Sequence, residues 1–186
     1  MKTLVEADFE RAAKFLKVDV ATIKAVAEVE SAGKGFYADG FPVILFERHK
    51  FRDFTKGKYD KTHPHLSNEV AGGYKQSSRK KFNEAFALDP DAAMKSCSWG
   101  KFQIMGFNHG DCGYKTVGEF VDAMKESEGK HLDAFCRFVK ANNLAQALWS
   151  KDWEGFARGY NGKAYKKNRY DEKMAEAYER YKGNVS

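Results

Sequence analysis

The sequence predicts a mainly helical α+β domain with one small β-hairpin in its first third. Three observations predict it. Apolar residues recur at three- and four-residue spacing along most of the chain, capping residues stand just ahead of several of these stripes, and only the segment around Asp39-Gly40 reads as strand, turn, strand. Phe9, Ala12, Ala13 and Leu16 place an amphipathic helix at 8–17. Asp19 is the expected N-cap of a second helix, 20–31, whose stripe is Ile23, Val26 and Ala27, and Gly33 and Gly35 end it. Asp39-Gly40 then joins Phe36-Tyr37 to the apolar run 41–46 as the hairpin. Helices resume at 78–88, and again where Asp89 caps a turn that Pro90 opens and that runs to 95. Thr116-Val117-Gly118-Glu119 is a capping box for a helix through Met124. Leu132, Phe135, Cys136 and Val139 mark another helix. Asp152 caps a short one through Trp153, Phe156 and Tyr160, and 168–181 reads as a polar terminal helix.

Composition bounds the class. The chain has 186 residues, 42% hydrophobic, 15% aromatic and 31% charged, which excludes disordered, collagenous and low-complexity chains and suffices for a packed core. Apolar runs such as Val43-Ile44-Leu45-Phe46 fall far short of the roughly 20 residues of a membrane span. With no repeat and no linker-like stretch, residues 1–186 are expected to form a single domain without a separate binding module. The first residues turn acidic at Glu6 and Asp8, where an export signal would be apolar, so a cytoplasmic start is expected. Cys97, Cys112 and Cys136 are odd in number and lack CxxC spacing, which predicts reduced, partly buried thiols. His63-Pro64-His65, with His109 or Cys112 as a third donor, is too sparse for a metal site, so neither metal nor cofactor is expected.

The net charge of +6 is concentrated in 48–81, where ten Lys or Arg face only Asp53, Asp60 and Glu69. Such a field favours a polyanionic partner such as an acidic wall polymer, a lipid surface or nucleic acid; the alternative is a solvated face that serves solubility.

One residue breaks the helical pattern. Extending the stripe Ile23, Val26, Ala27 by one step lands on Glu30. A carboxylate aimed at the core is either paired or holds its proton through a raised pKa, and the negative end of the helix dipole pushes the same way. A carboxylic acid kept neutral near pH 7, titrating at about 6 rather than the usual value of about 4.3, is what protonation of a glycosidic oxygen requires. The alternative is an ordinary helix-end Glu paired with a Lys or Arg.

The motifs that follow fall in a recognisable order. Glu30-Ser31, then the hairpin, then Ser98-Trp99-Gly100-Lys101-Phe102-Gln103-Ile104-Met105, then Gly159-Tyr160-Asn161-Gly162 resembles the Glu-Ser, Gly-x-x-Gln and Tyr-Asn series of the goose-type lysozyme and lytic transglycosylase superfamily. Val29-Glu30-Ser31 together with Ile44-Leu45-Phe46-Glu47-Arg48-His49 is more specifically similar to the N-acetylmuramidase domain of phage endolysins.

The resemblance implies a lysozyme-like fold and cleavage of the β-1,4 bond between N-acetylmuramic acid and N-acetylglucosamine in peptidoglycan. It implies Glu30 as the general acid, and Gln103, Tyr160 and Asn161 as residues of the sugar groove. Read from the residues alone, Gln103 is as well a helix-surface amide and Tyr160 a core ring. Glu47 is the first candidate for a second catalytic carboxylate, with a structural ion pair to Arg48 or His49 as its alternative. Asp39 is the next candidate, with a turn-forming role as its alternative. A base would stand about 6.5–9.5 Å from the acid and a nucleophile about 5 Å away, whereas a lytic transglycosylase needs neither. The expected partner is peptidoglycan, with anionic wall or membrane polymers drawn by 48–81, no nucleic acid, and a monomeric chain. The resemblance also implies residence in the host cytoplasm until the inner membrane is permeabilised. A non-catalytic basic binder and a zinc amidase are the other readings.

Overall fold

The computed structural model describes residues 2–31 and 33–183. Helix α1 (Glu6–Leu16) begins where Asp8 accepts the Val5 N–H at 3.0 Å, ends with Lys17 in the left-handed region, and buries Ala12, Ala13 and Leu16. Asp19 caps α2 (Val20–Glu30) by accepting the Thr22 N–H at 2.7 Å. α2 buries Ala21, Thr22, Ile23, Ala25, Val26 and Ala27, a set too wide for one face. The reason is that α1 packs on one side and α11 (Tyr170–Gly183) on another. Glu30 is the last residue of this central helix.

The β-structure differs from the expected hairpin. β1 (Ile44–Phe46), β2 (Cys97–Trp99) and β3 (Ile104–Met105) form a three-stranded antiparallel sheet in the order β1-β2-β3, with Ile44 opposite Trp99 and Trp99 opposite Ile104. The turn at Asp39-Gly40 forms, with Asp39 accepting the Phe41 N–H and Gly40 donating to Tyr37 O, but strand pairing there stops at the single bridge Phe36–Pro42. Pro42 has no N–H to continue a ladder. The Val43 carbonyl accepts instead from Gly100 N at 2.8 Å, and the following strand joins β2.

α3 (Arg48–Thr55) lies inside the basic stretch, where no periodicity marks it, because only Phe51 on it is buried. α4 (Ser78–Leu88) and α5 (Pro90–Lys95) have the expected bounds, with Asp89 accepting from Ala92 N. α6 (Val117–Glu126) is capped by Thr116, and α7 (Glu128–Ala141) follows directly. The short α8 (Ala145–Trp149) was not expected. α9 (Trp153–Asn161) is capped by Asp152, and α10 (Tyr165–Asn168) and α11 complete the order. One hydrophobic core runs through the described residues, with Trp99, Phe46, Phe120, Phe135 and Phe156 among its largest members. The three cysteines are free and buried. Among the described residues no helix is long and apolar enough to cross a membrane.

Candidate active site

The end of α2 delivers Glu30 to the rim of a cleft of about 390 Å³. Its second wall is the turn from β2 to β3, Phe102 to Met105 with Asn108 beyond it, and its third is Phe138, Tyr160, Asn161 and Tyr170 from the three helices α7, α9 and α11. Glu30 has one side-chain partner among the described residues: Asn161 Nδ2 donates to Oε1 at 2.7 Å. No cation pairs with it there. Burial pushes the Glu30 pKa up to about 7, while the Asn161 hydrogen bond pulls it the other way. The acid therefore keeps its proton to a higher pH than an ordinary carboxyl group does.

Gln103 enters this wall through backbone geometry. It has φ 49° in a turn after Gly100 at φ 68°, and a Cβ at Gly100 would lie 2.7 Å from the His131 ring, so only glycine fits. The Gln103 amide donates to Gly100 O at 2.8 Å and Val43 O at 3.3 Å, and its carbonyl accepts from Ser98 Oγ at 2.7 Å. The side chain thus stitches the turn to β2 and to the entrance of β1, leaving one acceptor lone pair for a ligand. Tyr160 is a core ring, stacked on Phe156 and edge-on to Phe135 and Phe138, with its hydroxyl toward Phe102 O at 3.4 Å. Burial drives its pKa far up, so the phenol stays neutral. Asn161, the last residue of α9, is positioned by that packing.

Glu30, Gln103, Tyr160 and Asn161 therefore meet in one cleft. Glu47 does not join them. It stands at the other end of β1 from Val43, about 13 Å along an extended chain at roughly 3.3 Å per residue. There it accepts the Tyr74 hydroxyl on both oxygens at 3.1 and 2.9 Å and lies 3.4 Å from His49 Nδ1. Asp39 holds its own turn and lies 3.8 Å from Arg79. Asn108, Phe138 and Tyr170 line the cleft without any signal in the sequence, since each sits outside a motif and has an ordinary residue type for its element.

Behind the cleft a buried polar network fixes two of its walls. Glu128 accepts from Gly35 N at 2.8 Å and Leu4 N at 3.2 Å, and its carboxylate lies 3.4 Å from Lys101 Nζ. Lys101 Nζ also donates to Gly33 O at 2.6 Å, and its backbone N–H donates to His131 Nδ1 at 3.0 Å. His131 Nε2 then donates to Met124 O at 2.7 Å, and burial holds this imidazole below its ordinary pKa, in the neutral form. One carboxylate and one lysine thus tie the segment after Glu30 to the segment before Gln103. A lone Glu-Gly-Lys-His in a helix start gives no sequence sign of this, because its partners are 93 and 30 residues away.

Among the described residues no three His, Cys, Asp or Glu side chains are grouped to hold a metal ion. The chemistry within reach is proton transfer from an acid whose pKa lies near neutrality, in a groove walled by aromatic rings and amides. The crystal structure of the Burkholderia AP3 phage endolysin superposes with a TM-score of 0.92 at 44% sequence identity, covering 100% of this chain and 73% of that one. No curated protein matches the chain. The family model described as N-acetylmuramidase matches residues 19–182, from the cap of α2 into the last turn of α11, and so takes in every wall of the cleft; the chain belongs to the N-acetylmuramidase family.

Proposed function

We propose that this chain is a peptidoglycan-degrading endolysin that cleaves the β-1,4 bond between N-acetylmuramic acid and N-acetylglucosamine, with Glu30 as the general acid. The observation that carries the reading is Glu30 itself, an acid with one amide partner, set in a sugar-sized groove, with a pKa of about 7. In this reading the Glu30 proton passes to the bridging oxygen as the bond to the muramic acid anomeric carbon breaks. Asn161 orients the carboxyl group and stabilises the carboxylate left behind. Aromatic side chains such as Tyr170 offer faces to sugar rings, and Gln103 keeps the opposite wall in register. The enzyme meets its substrate once the inner membrane of the host is permeabilised.

Glu30 is the only carboxylate among the described residues that line the cleft. This favours a second half-reaction carried by the substrate, either through the N-acetyl carbonyl before water attacks or through the muramic acid's own hydroxyl closing an anhydro ring. Digestion of purified peptidoglycan by the wild type and by Glu30→Gln, with mass spectrometry of the fragments, tests both points. Reducing muramic acid ends identify hydrolysis, and ends lighter by one water identify transglycosylation. Cleavage by a folded Glu30→Gln protein at the wild-type rate overturns the reading.

A further inference from the structure

Away from the cleft, two exposed large apolar side chains converge on one pocket. Trp149, at the end of α8, is 55% exposed, and Phe15, in the last turn of α1, is 41% exposed. Both line a pocket of about 350 Å³ between the C-terminal ends of α1 and α7 and the short α8. The indole is not free to swing, because its Nε1 donates to Leu16 O at 2.7 Å. Its donor is therefore satisfied, and the ring presents a fixed apolar face.

The rim of this pocket is chemically one-sided. Lys17 and Lys140 stand on it, with the Lys140 ammonium 5.0 Å above the Phe15 ring, and Asn143 and Gln146 supply amides. No carboxylate is among the described residues that line it. A locked aromatic face, amide donors and acceptors, and ammonium groups without carboxylate neighbours among the described residues are complementary to an N-acetylated sugar that bears an acidic peptide. The ring stacks, the acetamide finds an amide, and the carboxylate finds a lysine. A second copy of this chain is a poor occupant, since a two-fold contact would set the same lysine-rimmed surface against itself.

We propose that this pocket is a second, non-catalytic binding site for the N-acetylated sugar units of the polymer together with the acidic peptide they bear, which holds the enzyme on the wall while the cleft works elsewhere on the strand. It rests on the reading of the chain as a peptidoglycan-degrading enzyme. Linking two weak sites through one polymer raises retention without altering the chemistry at either.

The test uses purified sacculi and a short soluble glycan. Binding is measured with the Glu30→Gln protein, so that the polymer stays intact, alone and combined with Trp149→Ala or Lys140→Glu. Each added substitution should weaken retention on sacculi by ~10-fold, as truncation of an aromatic or charged anchor does, while each single variant with Glu30 intact cleaves the soluble glycan at the wild-type rate. Lys140→Glu lies on the surface and keeps the test valid if Trp149→Ala disturbs α8. In nuclear magnetic resonance spectra, a disaccharide-peptide from digested peptidoglycan should shift the Trp149 indole signal. Unchanged retention, equal losses on polymer and soluble glycan, or a wild-type dimer that Trp149→Ala converts to monomer would each overturn the proposal. The outcomes separate from those of the cleft: a wild type that cleaves no glycan defeats the catalytic reading, whereas a fully active chain with unaltered retention in the variants defeats only this one.

Discussion

The cleft around Glu30 and the basic stretch 48–81 present opposite electrostatic arrangements. At the cleft a single acid sits against an apolar wall with, among the described residues, one amide partner and no cation, and burial leaves it poorly disposed to ionise. In the basic stretch several of the charges find partners, although Arg79 Nε and Nη1 are buried without a hydrogen-bond acceptor among the described residues. Arg48 donates to Val70 O at 2.7 Å and Ala71 O at 3.4 Å, and Arg52 pairs with Asp60 at 3.0 Å. Arg79 lies over the Phe41 ring, and Lys81, only 1% exposed, donates to Gly73 O at 3.0 Å. Glu47 joins the same region through Tyr74 and His49. A satisfied charge holds structure. A charge denied its partners is available for chemistry, and the number of charges in a segment says little about which case applies.

The largest expected effect comes from removing the one group at the cleft that is poorly satisfied. Glu30→Gln should lower peptidoglycan cleavage by about 10²- to 10⁴-fold, because the amide fills the same space but has no proton to give. Its stability should move the other way. A raised folded-state pKa means that the folded chain binds this proton more tightly than the unfolded chain, so the Glu30 contribution is present below about pH 4.5 and lost as pH climbs to about 7. Above that pH Glu30→Gln should melt at or above the wild-type temperature in a calorimeter. A melting temperature several degrees lower at pH 7.5 would mean that Glu30 is a satisfied charge after all, and the contrast with the basic stretch would fail.

Next in size is the network behind the cleft, where the charges are satisfied and buried. Glu128→Ala leaves Lys101 without its anion and Gly35 N without its acceptor, and should cost about 3 kcal/mol in denaturant unfolding. It should lower cleavage by loosening both walls and leave the alkaline limit of the pH profile in place. Asn161→Ala should move that limit instead. Wild-type activity is expected to fall above about pH 7 as Glu30 loses its proton. Removing the hydrogen bond that favours the carboxylate moves that limb to higher pH while disorienting the acid. An unmoved limb would detach Asn161 from the titrating group.

The helices were legible where the capping chemistry is local. Asp19, Asp89, Thr116 and Asp152 all cap within three residues of their own helices, and so appear as short-range patterns. β2 and β3 were not, for they are three and two residues long, and β2 is buried at every position, so no alternation exists to be read. The Asp39-Gly40 turn was legible, but the partner of the strand after it was not, since β1 pairs across more than fifty residues once Pro42 ends local pairing. The cleft divided in the same way. Glu30 was visible as an exception to its own stripe, and Gln103 and Asn161 through ordered motifs. The role of the Gln103 side chain as a stitch to Val43, and the position of Glu47 away from the cleft, depend on strand register that no local pattern encodes.

Glu47→Gln sharpens the comparison with a smaller effect. The amide can still accept from Tyr74, so the segment that carries Tyr74 should stay docked, with a stability loss of about 1 kcal/mol or less and cleavage close to wild type. A loss matching that of Glu30→Gln would return Glu47 to the chemistry and require β1 to bring it to the substrate.

The smallest effect belongs to the lysines of the basic stretch that remain at the surface. Lys56, Lys58 and Lys61 are exposed beyond the end of α3, and Lys75 and Lys80 are exposed before and within α4, whereas Arg48, Arg52, Arg79 and Lys81 are held by protein partners. Steering toward an acidic wall therefore rests on fewer cations than the sequence counts. Exposed charges are screened beyond a Debye length of about 10 Å at 0.1 M salt. Reversing the first three together, Lys56→Glu, Lys58→Glu and Lys61→Glu, should slow association with sacculi at low ionic strength and converge with the wild type as salt rises. Cleavage of a short soluble glycan should be unaffected at any salt. If the triple variant binds sacculi as the wild type does at low salt, these three lysines are a solvated face only. If it instead loses cleavage of the soluble glycan, the stretch reaches the cleft, and the division between a structural region and a chemical one is drawn in the wrong place.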